Sequence, residues 1–330
     1  MKPEVSVIVP AYNTEAYIAQ AIESALGQTL NNIEVIVVDD ASCDDTTKIA
    51  KSFTDKRLKV LVNEKNLGVS GARNRALREA QGKWIAVLDS DDWYAPERLE
   101  KLLQIAEVED ADIVAEDLYL VQNNAELPWS TLLNESGEEI TALKQIDPIY
   151  VVETGIYGQT GLHLGLSKPL FKREFLIKYG IEYDETFPVI QDLYLLMQCL
   201  VKGARFIFSP KPYYFYRSRP GSLVTKSKVS HINEFIEVIT KLLKQESVQN
   251  NPQLVASLYK SLAVLKKYKA YYNVIEPLKQ KKILISLRQM IRNPYFFIHF
   301  MKQLSTILSR RFNYYILGDK YAFSMLYRIK

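Results

Sequence analysis

Two clusters of carboxylates, Asp39-Asp40 with Asp44-Asp45 and Asp89-Ser90-Asp91 with Asp92, are the residues of this chain best suited by type and spacing to chemistry. Each closes an apolar run, IEVIVV beginning at Ile33 and WIAVL beginning at Trp84. Short runs rich in Val and Ile that break into carboxylates read as strands buried on both faces of a parallel sheet, with polar chemistry at their ends. Ligands of open α/β sheets lie outside the carboxyl ends of the strands, so both clusters are expected to face one crevice. Aspartates crowded there repel one another unless a cation or a hydrogen-bond donor satisfies them. The expected ligands are therefore a metal and a nucleotide. Mg²⁺ and Mn²⁺ favour carboxylate, water and phosphate oxygens, which makes Asp89 and Asp91 candidate metal ligands, with Ser90 beside the diphosphate. A D-x-D can also simply cap a loop; the buried run before it and WYAPERL after it favour a site.

The turn leaving the first apolar run supplies Pro10, Ala11, Tyr12 and Asn13, where backbone groups and one aromatic ring can hold a flat base. Asp40 can accept the imide N–H of a uracil, a charge-assisted hydrogen bond of about 1.5–3 kcal/mol. It can equally be a helix N-cap, a role open also to Ser42 or Asp44. In NLGVSGARNRALREA, Gly68 and Gly71 precede or open a helix, and Arg73 one turn in can reach a phosphate or a base carbonyl. The alternative for this stretch is a solvated basic helix face.

Strand-like runs at 5–9, 33–38, 58–62 and 84–88 alternate with helical patterns at 16–26, 46–53, 69–80 and 96–107. That alternation predicts βαβ crossovers and a mostly parallel sheet flanked by helices. The pattern weakens beyond Ala111. A strand at 113–119 gives way to polar and glycine-bearing loops, then a helix around 172–179. Another helix at 191–202 and a strand at 205–208 lead to PKPYYFYRSRPGS, and from His231 the chain reads as helical almost to its end.

With 330 residues, 48% of them hydrophobic, the chain can bury a large core plus an appendage. Cys43 and Cys199 share no paired spacing, which argues against a disulfide framework or a cysteine zinc site and fits a reducing cytoplasm. His163, His231 and His299 are too dispersed to form a metal cluster, so a metal must be held mostly by oxygen. The first apolar run stops at Pro10, short of a secretory signal core, and no uninterrupted apolar run approaches the about 18 residues of a membrane span. The net charge of +4 hides a division: residues 260–330 hold fifteen Lys and Arg against Glu276 and Asp319, whereas the remainder holds 27 basic and 36 acidic residues. A basic, aromatic and helical tail suits nucleic acid or an anionic membrane surface, and apolar residues at helical spacing favour the membrane.

Four stretches in succession, VSVIVPAYN, VVDDASCDD, NLGVSGARNRAL and LDSDDWYAPERL, resemble the signatures of the family-2 inverting glycosyltransferases of the GT-A fold. The resemblance covers roughly residues 4–225, and SKPLFKREFL, QDLYLLMQCLVKGARF and YYFYRSRPGS extend it toward bacterial exopolysaccharide glucosyltransferases of the succinoglycan type. It implies a GT-A domain over 1–225, with a nucleotide-binding half (1–95) and an acceptor half (96–225); charge and helical spacing point to a basic amphipathic helical region over 226–330. It further implies uracil contacts at Tyr12, Asp40 and Arg73, metal and diphosphate at Asp89 and Asp91, and Asp192 as the base that takes the acceptor proton. The family usually has Glu-Asp where this chain has Gln191-Asp192; a cap on the following helix is the competing role for Asp192. Arg217 and Arg219 suit a lid over the pyrophosphate or an exposed basic loop.

The expected activity is transfer of a hexose, glucose first, from a UDP-sugar to a saccharide or lipid-linked acceptor in polysaccharide synthesis. The expected location is cytoplasmic, on the inner face of the plasma membrane, and no nucleic acid is expected as partner. Two alternatives stand beside this: a GT-A-like glycan-binding or scaffold protein without turnover, suggested by Gln191, and a sugar-phosphate nucleotidyltransferase. The latter predicts a glycine-rich loop after the first strand, where PAYNTEAY has no glycine.

Overall fold

The computed structural model describes residues 2–123, 125, 127–219, 227–293 and 295–316. Its contacts divide the chain into two units, one of residues 1–151 and 161–222 and the other of residues 152–160 and 223–330. The boundary expected after residue 225 lies outside the described residues, and the short segment 152–160 belongs to the second unit.

The first unit is built on strands β1 (Val5–Ala11), β2 (Ile33–Asp39), β3 (Leu58–Val62), β4 (Trp84–Val87), β5 (Trp93–Tyr94), β6 (Ile113–Gln122), β7 (Ser130–Thr131), β8 (Lys144–Ile146), β9 (Leu170–Lys172) and β10 (Phe206–Ser218). Its helices are α1 (Ile18–Leu26), α2 (Thr46–Ser52), α3 (Gly68–Glu79), α4 (Arg98–Val108), α5 (Leu132–Ser136), α6 (Pro148–Thr154, whose end joins the second unit), α7 (Arg173–Tyr179) and α8 (Gln191–Val201). The sheet runs β3-β2-β1-β4-β9-β6-β10-β5, with β7 on β6 and β8 on β10. It is parallel through β3-β2-β1-β4 and again at β6-β10, and antiparallel at the other pairings. The parallel half agrees with the βαβ pattern of the sequence; beyond it the sheet is mixed.

Apolar content sets the register of the parallel half. Val7 lies opposite Val35 on one side and Ala86 on the other, and all three are fully buried. Burial of each Val or Ile of this layer stabilises by about 1.5–3 kcal/mol. α1 buries Ile18, Ala21, Ile22 and Ala25, one stripe at helical spacing. β10 departs from the sequence expectation, because it continues past Phe208 to Ser218 through an irregularity between Ser209 and Tyr214. Pro210 and Pro212 fall in that interval, where no ladder donor toward β6 is required.

The second unit contains α9 (Lys228–Leu243), α10 (Glu246–Gln249), α11 (Pro252–Lys279), α12 (Ile283–Arg292) and α13 (Tyr295–Tyr315). Asn251 caps α11 by accepting from the Leu254 N–H, with Pro252 at the first helical position. Tyr271, Val274 and Phe296 form a small buried cluster among α11 and α13. No described helix is long and apolar enough to cross a membrane.

Candidate active site

The turns leaving β1 and β2 are tied together. The Asn13 N–H donates to Ser42 Oγ at 2.9 Å, and the Cys43 N–H donates to Asn13 Oδ1 at 2.8 Å. Asn13 and Ala41 both adopt left-handed backbone, with φ of 50° and 60°. For alanine this costs roughly 1–2 kcal/mol, and such strain concentrates where a loop must hold a shape for function. Pro10 and Ala11 are buried at the end of β1, and Tyr12 presents its ring at the rim, 47% exposed.

Asp40 is buried and heavily engaged. Oδ1 accepts from Asn63 Nδ2 at 2.6 Å and from the Leu67 N–H at 2.9 Å, while Oδ2 accepts from the Gly68 N–H at 2.8 Å. The carboxylate thus caps the start of α3, where Gly68 turns with φ of 79°. Its neighbour Asp39, fully buried at the end of β2, accepts from the Ser42 N–H at 3.1 Å through Oδ2. Asp39 Oδ1 has no partner among the described residues.

Four charged side chains then alternate in a closed ring. Arg73 on α3, 1% exposed, donates through Nη2 to Asp89 Oδ1 at 2.6 Å and through Nη1 to Asp192 Oδ1 at 2.5 Å. Lys168, just before β9, places Nζ 3.0 Å from Asp89 Oδ2 and 2.8 Å from Asp192 Oδ2. Because one Nζ touches both, the two Oδ2 atoms are at most about 5.8 Å apart. Burial by itself would raise the Asp89 pKa, but Lys168 and Arg73 outweigh it and hold Asp89 below the usual carboxylate range. Desolvation opposes charge on Lys168 and Arg73, and the two aspartates overcome it, keeping both cations more basic than usual. Asp192 is the second residue of α8, and no side chain caps that helix; each Asp192 oxygen accepts from one of the two cations and keeps a second lone pair.

Asp91 stands outside this ring. Its Oδ2 accepts from Arg219 Nε, and its backbone carbonyl accepts from Arg217 Nε at 2.8 Å. Arg217 lies over Trp93 at 4.6 Å and Tyr17 at 5.2 Å, and Arg219 over Tyr17 at 5.4 Å. Asp92 is buried and accepts from Tyr214 Oη at 2.7 Å and the Arg217 N–H at 2.8 Å. Burial, then repulsion from Asp91 and Asp89, pushes its pKa well above the ordinary carboxylate value, toward a neutral acid. Ser90 is buried in the turn between the two outer aspartates. Residues 220–222 of the expected lid lie outside the described residues.

Of the residues singled out in the sequence, Arg73 meets both Asp89 and Asp192, Asp91 sits beside Arg219, and Asp40 serves the start of α3. Among the described residues no group of three His, Cys, Asp or Glu is arranged to hold a metal by itself. Asp89 has both oxygens on cations, whereas Asp91, partly exposed and held by one arginine, suits a divalent ion that takes one protein carboxylate and completes its shell with diphosphate oxygens. Lys168 was not singled out in the sequence as a site residue. Its signals are its place in SKPLFKREFL, one of the stretches that carry the resemblance, and a charge entering a buried strand. Gln191 is also buried, and its Oε1 has no partner among the described residues.

The sequence profile described as "Glycosyl transferase family 2" matches residues 6–172, a span holding most of β1, β2, the D-x-D and Lys168. The chain belongs to glycosyl transferase family 2. This family 2 glycosyltransferase is 30% identical over 308 residues to the succinoglycan biosynthesis protein ExoO of Rhizobium meliloti (strain 1021), covering 93% of this chain and 87% of the relative. It is 28% identical over 262 residues to the cholesterol galactosyltransferase of Borreliella burgdorferi, covering 78% and 72%. Among solved structures, S. aureus TarS 1–349 in complex with UDP superposes with a TM-score of 0.61 at 20% identity, covering 92% of each chain. The mannosyltransferase PcManGT from Pyrobaculum calidifontis, in complex with GDP-Man and Mn2+, superposes with a TM-score of 0.59 at 17% identity, covering 100% of this chain and 85% of that one. These likenesses establish the shared GT-A fold.

Proposed function

We propose that this family 2 enzyme moves a hexose from a UDP-sugar to a hydroxyl of a saccharide or lipid-linked acceptor, with inversion, in the assembly of a bacterial polysaccharide. The observation that supports this reading is the pairing of Asp89 and Asp192 on the same two cations, so that the proposed base would lie within a sugar's reach of the D-x-D. Asp192 Oδ takes the proton of the acceptor hydroxyl as that oxygen attacks the anomeric carbon. The bond from that carbon to the diphosphate oxygen breaks, and its electron pair leaves with UDP. Tyr12 at the rim and the strained turns at Asn13 and Ala41 offer a base-binding edge, with Asp39 Oδ1 or Asp40 as acceptor for the uracil imide. Asp91 would hold a Mg²⁺ or Mn²⁺ ion after parting from Arg219, and such an ion would neutralise charge on the departing diphosphate. The UDP and Mn2+ named for the structural neighbours, and the succinoglycan role named for the relative, support the donor, the ion and the pathway class. The basic helices beyond residue 260 would bring the enzyme to an anionic membrane surface, where a lipid-linked acceptor resides.

The test is UDP release from UDP-glucose, UDP-galactose and UDP-N-acetylhexosamines with Mn²⁺ and acceptor. Removing a positioned general base costs typically about 10²–10⁴-fold, so Asp192→Asn is expected to lose that much turnover while still binding UDP. Turnover undiminished in Asp192→Asn removes the assignment of the base. A folded wild-type chain that binds UDP yet releases none from any of these donors favours the scaffold reading.

A further inference from the structure

We infer that Lys168 is a positioning residue for the transfer reaction, an internal cation that fixes the orientation of the Asp192 carboxylate. The inference rests on the proposed role of Asp192 as base.

Three observations converge on it. Lys168 is 5% exposed and spends its ammonium on two carboxylate oxygens, at 2.8 and 3.0 Å. A lysine carries a large cost of desolvation in such a place, so the position is occupied by charge for what the charge does. Its main chain is anchored as well: the Lys168 carbonyl accepts from Arg98 Nη2 at 2.6 Å, and Arg98 is fully buried. Arg98 in turn is fixed by Glu116 at 2.5 Å and by the rings of Tyr94 and Tyr214, at 4.2 and 5.3 Å from its Cζ. The lysine is thus braced from behind, with its head aimed at the D-x-D and the base.

The geometry of the ring states what that head does. Arg73 holds one oxygen of Asp192 and Lys168 holds the other, so the carboxylate cannot rotate about its terminal torsion without losing a charge-assisted bond. Without Lys168 one arginine faces two carboxylates, the local charge is −1, and Asp192 swings on a single contact. A misplaced reacting group costs on the order of 10²-fold in rate even when its chemistry is intact.

Lys168→Met keeps the volume and removes the charge. The expected result is a fall in kcat for UDP release of about 10²-fold, with the KM for donor within threefold of wild type. In an Asp192→Asn background, the same substitution is expected to change the residual rate less than twofold, because a residue acting only through Asp192 has nothing left to position. Lys168→Gln, which leaves a polar donor in the buried position, carries the same comparison if Lys168→Met is insoluble. A kcat within threefold of wild type in a folded variant overturns the inference. So does a fall that persists in the Asp192→Asn background, which would place the effect on Asp89 and the donor. Loss of fold in both Lys168 variants overturns it too, by assigning the lysine to stability. An inactive wild-type chain would instead remove the proposed function, so the two failures are distinguishable.

Discussion

Asp40 has one carboxylate and two candidate duties, and its hydrogen bonds show which of them the fold relies on. Its oxygens take the Asn63 amide and the N–H groups of Leu67 and Gly68, at the mouth of a helix that also carries Arg73. Asp40→Ala leaves those buried donors without a partner, and a loss of about 1–3 kcal/mol in urea unfolding is the expected outcome. An unchanged midpoint would show that water replaces the carboxylate without cost. The sequence allows Asp40 a helix cap as its alternative role, one that Ser42 and Asp44 could share. The helix it caps begins 28 residues later, because a parallel crossover brings the next helix start beside the end of β2. Spacing along a chain shows that an aspartate can cap; only the topology shows what it caps. The same holds for Lys168. A lone lysine has no pattern, and its meaning lies in Asp89 and Asp192, which are far from it in sequence.

Elements explain which parts were legible. β1, β2 and β4 were readable because apolar runs buried on both faces leave one interpretation, and the D-x-D followed from the end of β4. Pro210 and Pro212 resemble a strand end in the sequence, whereas the fold absorbs them in an irregularity of β10 and sends Arg217 and Arg219 toward Asp91. The junction of α4 with β6 shows how a buried charge supports this architecture. Arg98 and Glu116 are both essentially inaccessible to solvent and bind each other at 2.5 Å. Arg98→Met leaves Glu116 buried and unpaired, for which a destabilisation of about 3–5 kcal/mol is expected. Because Arg98 also holds the Lys168 carbonyl, turnover of the folded fraction should fall as well. Thermal unfolding together with UDP release measured well below the midpoint would separate the two effects. A variant as stable as wild type would show that Glu116 takes up a proton at little cost.

At the scale of the whole molecule, charge and apolar exposure concentrate in one part of the second unit. Between Glu276 and Asp319 the sequence has eight Lys and Arg and no acidic residue. α12 turns Ser286 inward, its Oγ donating to the Val274 carbonyl at 3.0 Å, and leaves Leu284 and Ile291 outward, 83% and 84% exposed, with Leu287 between them. A helix that buries serine and exposes leucine leaves an apolar stripe that the proposed docking on a membrane would cover. Two copies of so basic a surface repel, whereas an anionic leaflet attracts each Lys or Arg near it by about 1 kcal/mol and accepts the apolar stripe. The full chain is therefore expected to co-sediment with phosphatidylglycerol vesicles and to release as salt rises, while leaving phosphatidylcholine vesicles unbound. Replacing Leu284, Leu287 and Ile291 together by Glu should cut binding at least tenfold, without loss of UDP release from a soluble acceptor assay. Equal binding to both vesicle types, or by wild type and triple variant, would sever the tail from the membrane and leave its exposed leucines to a protein partner.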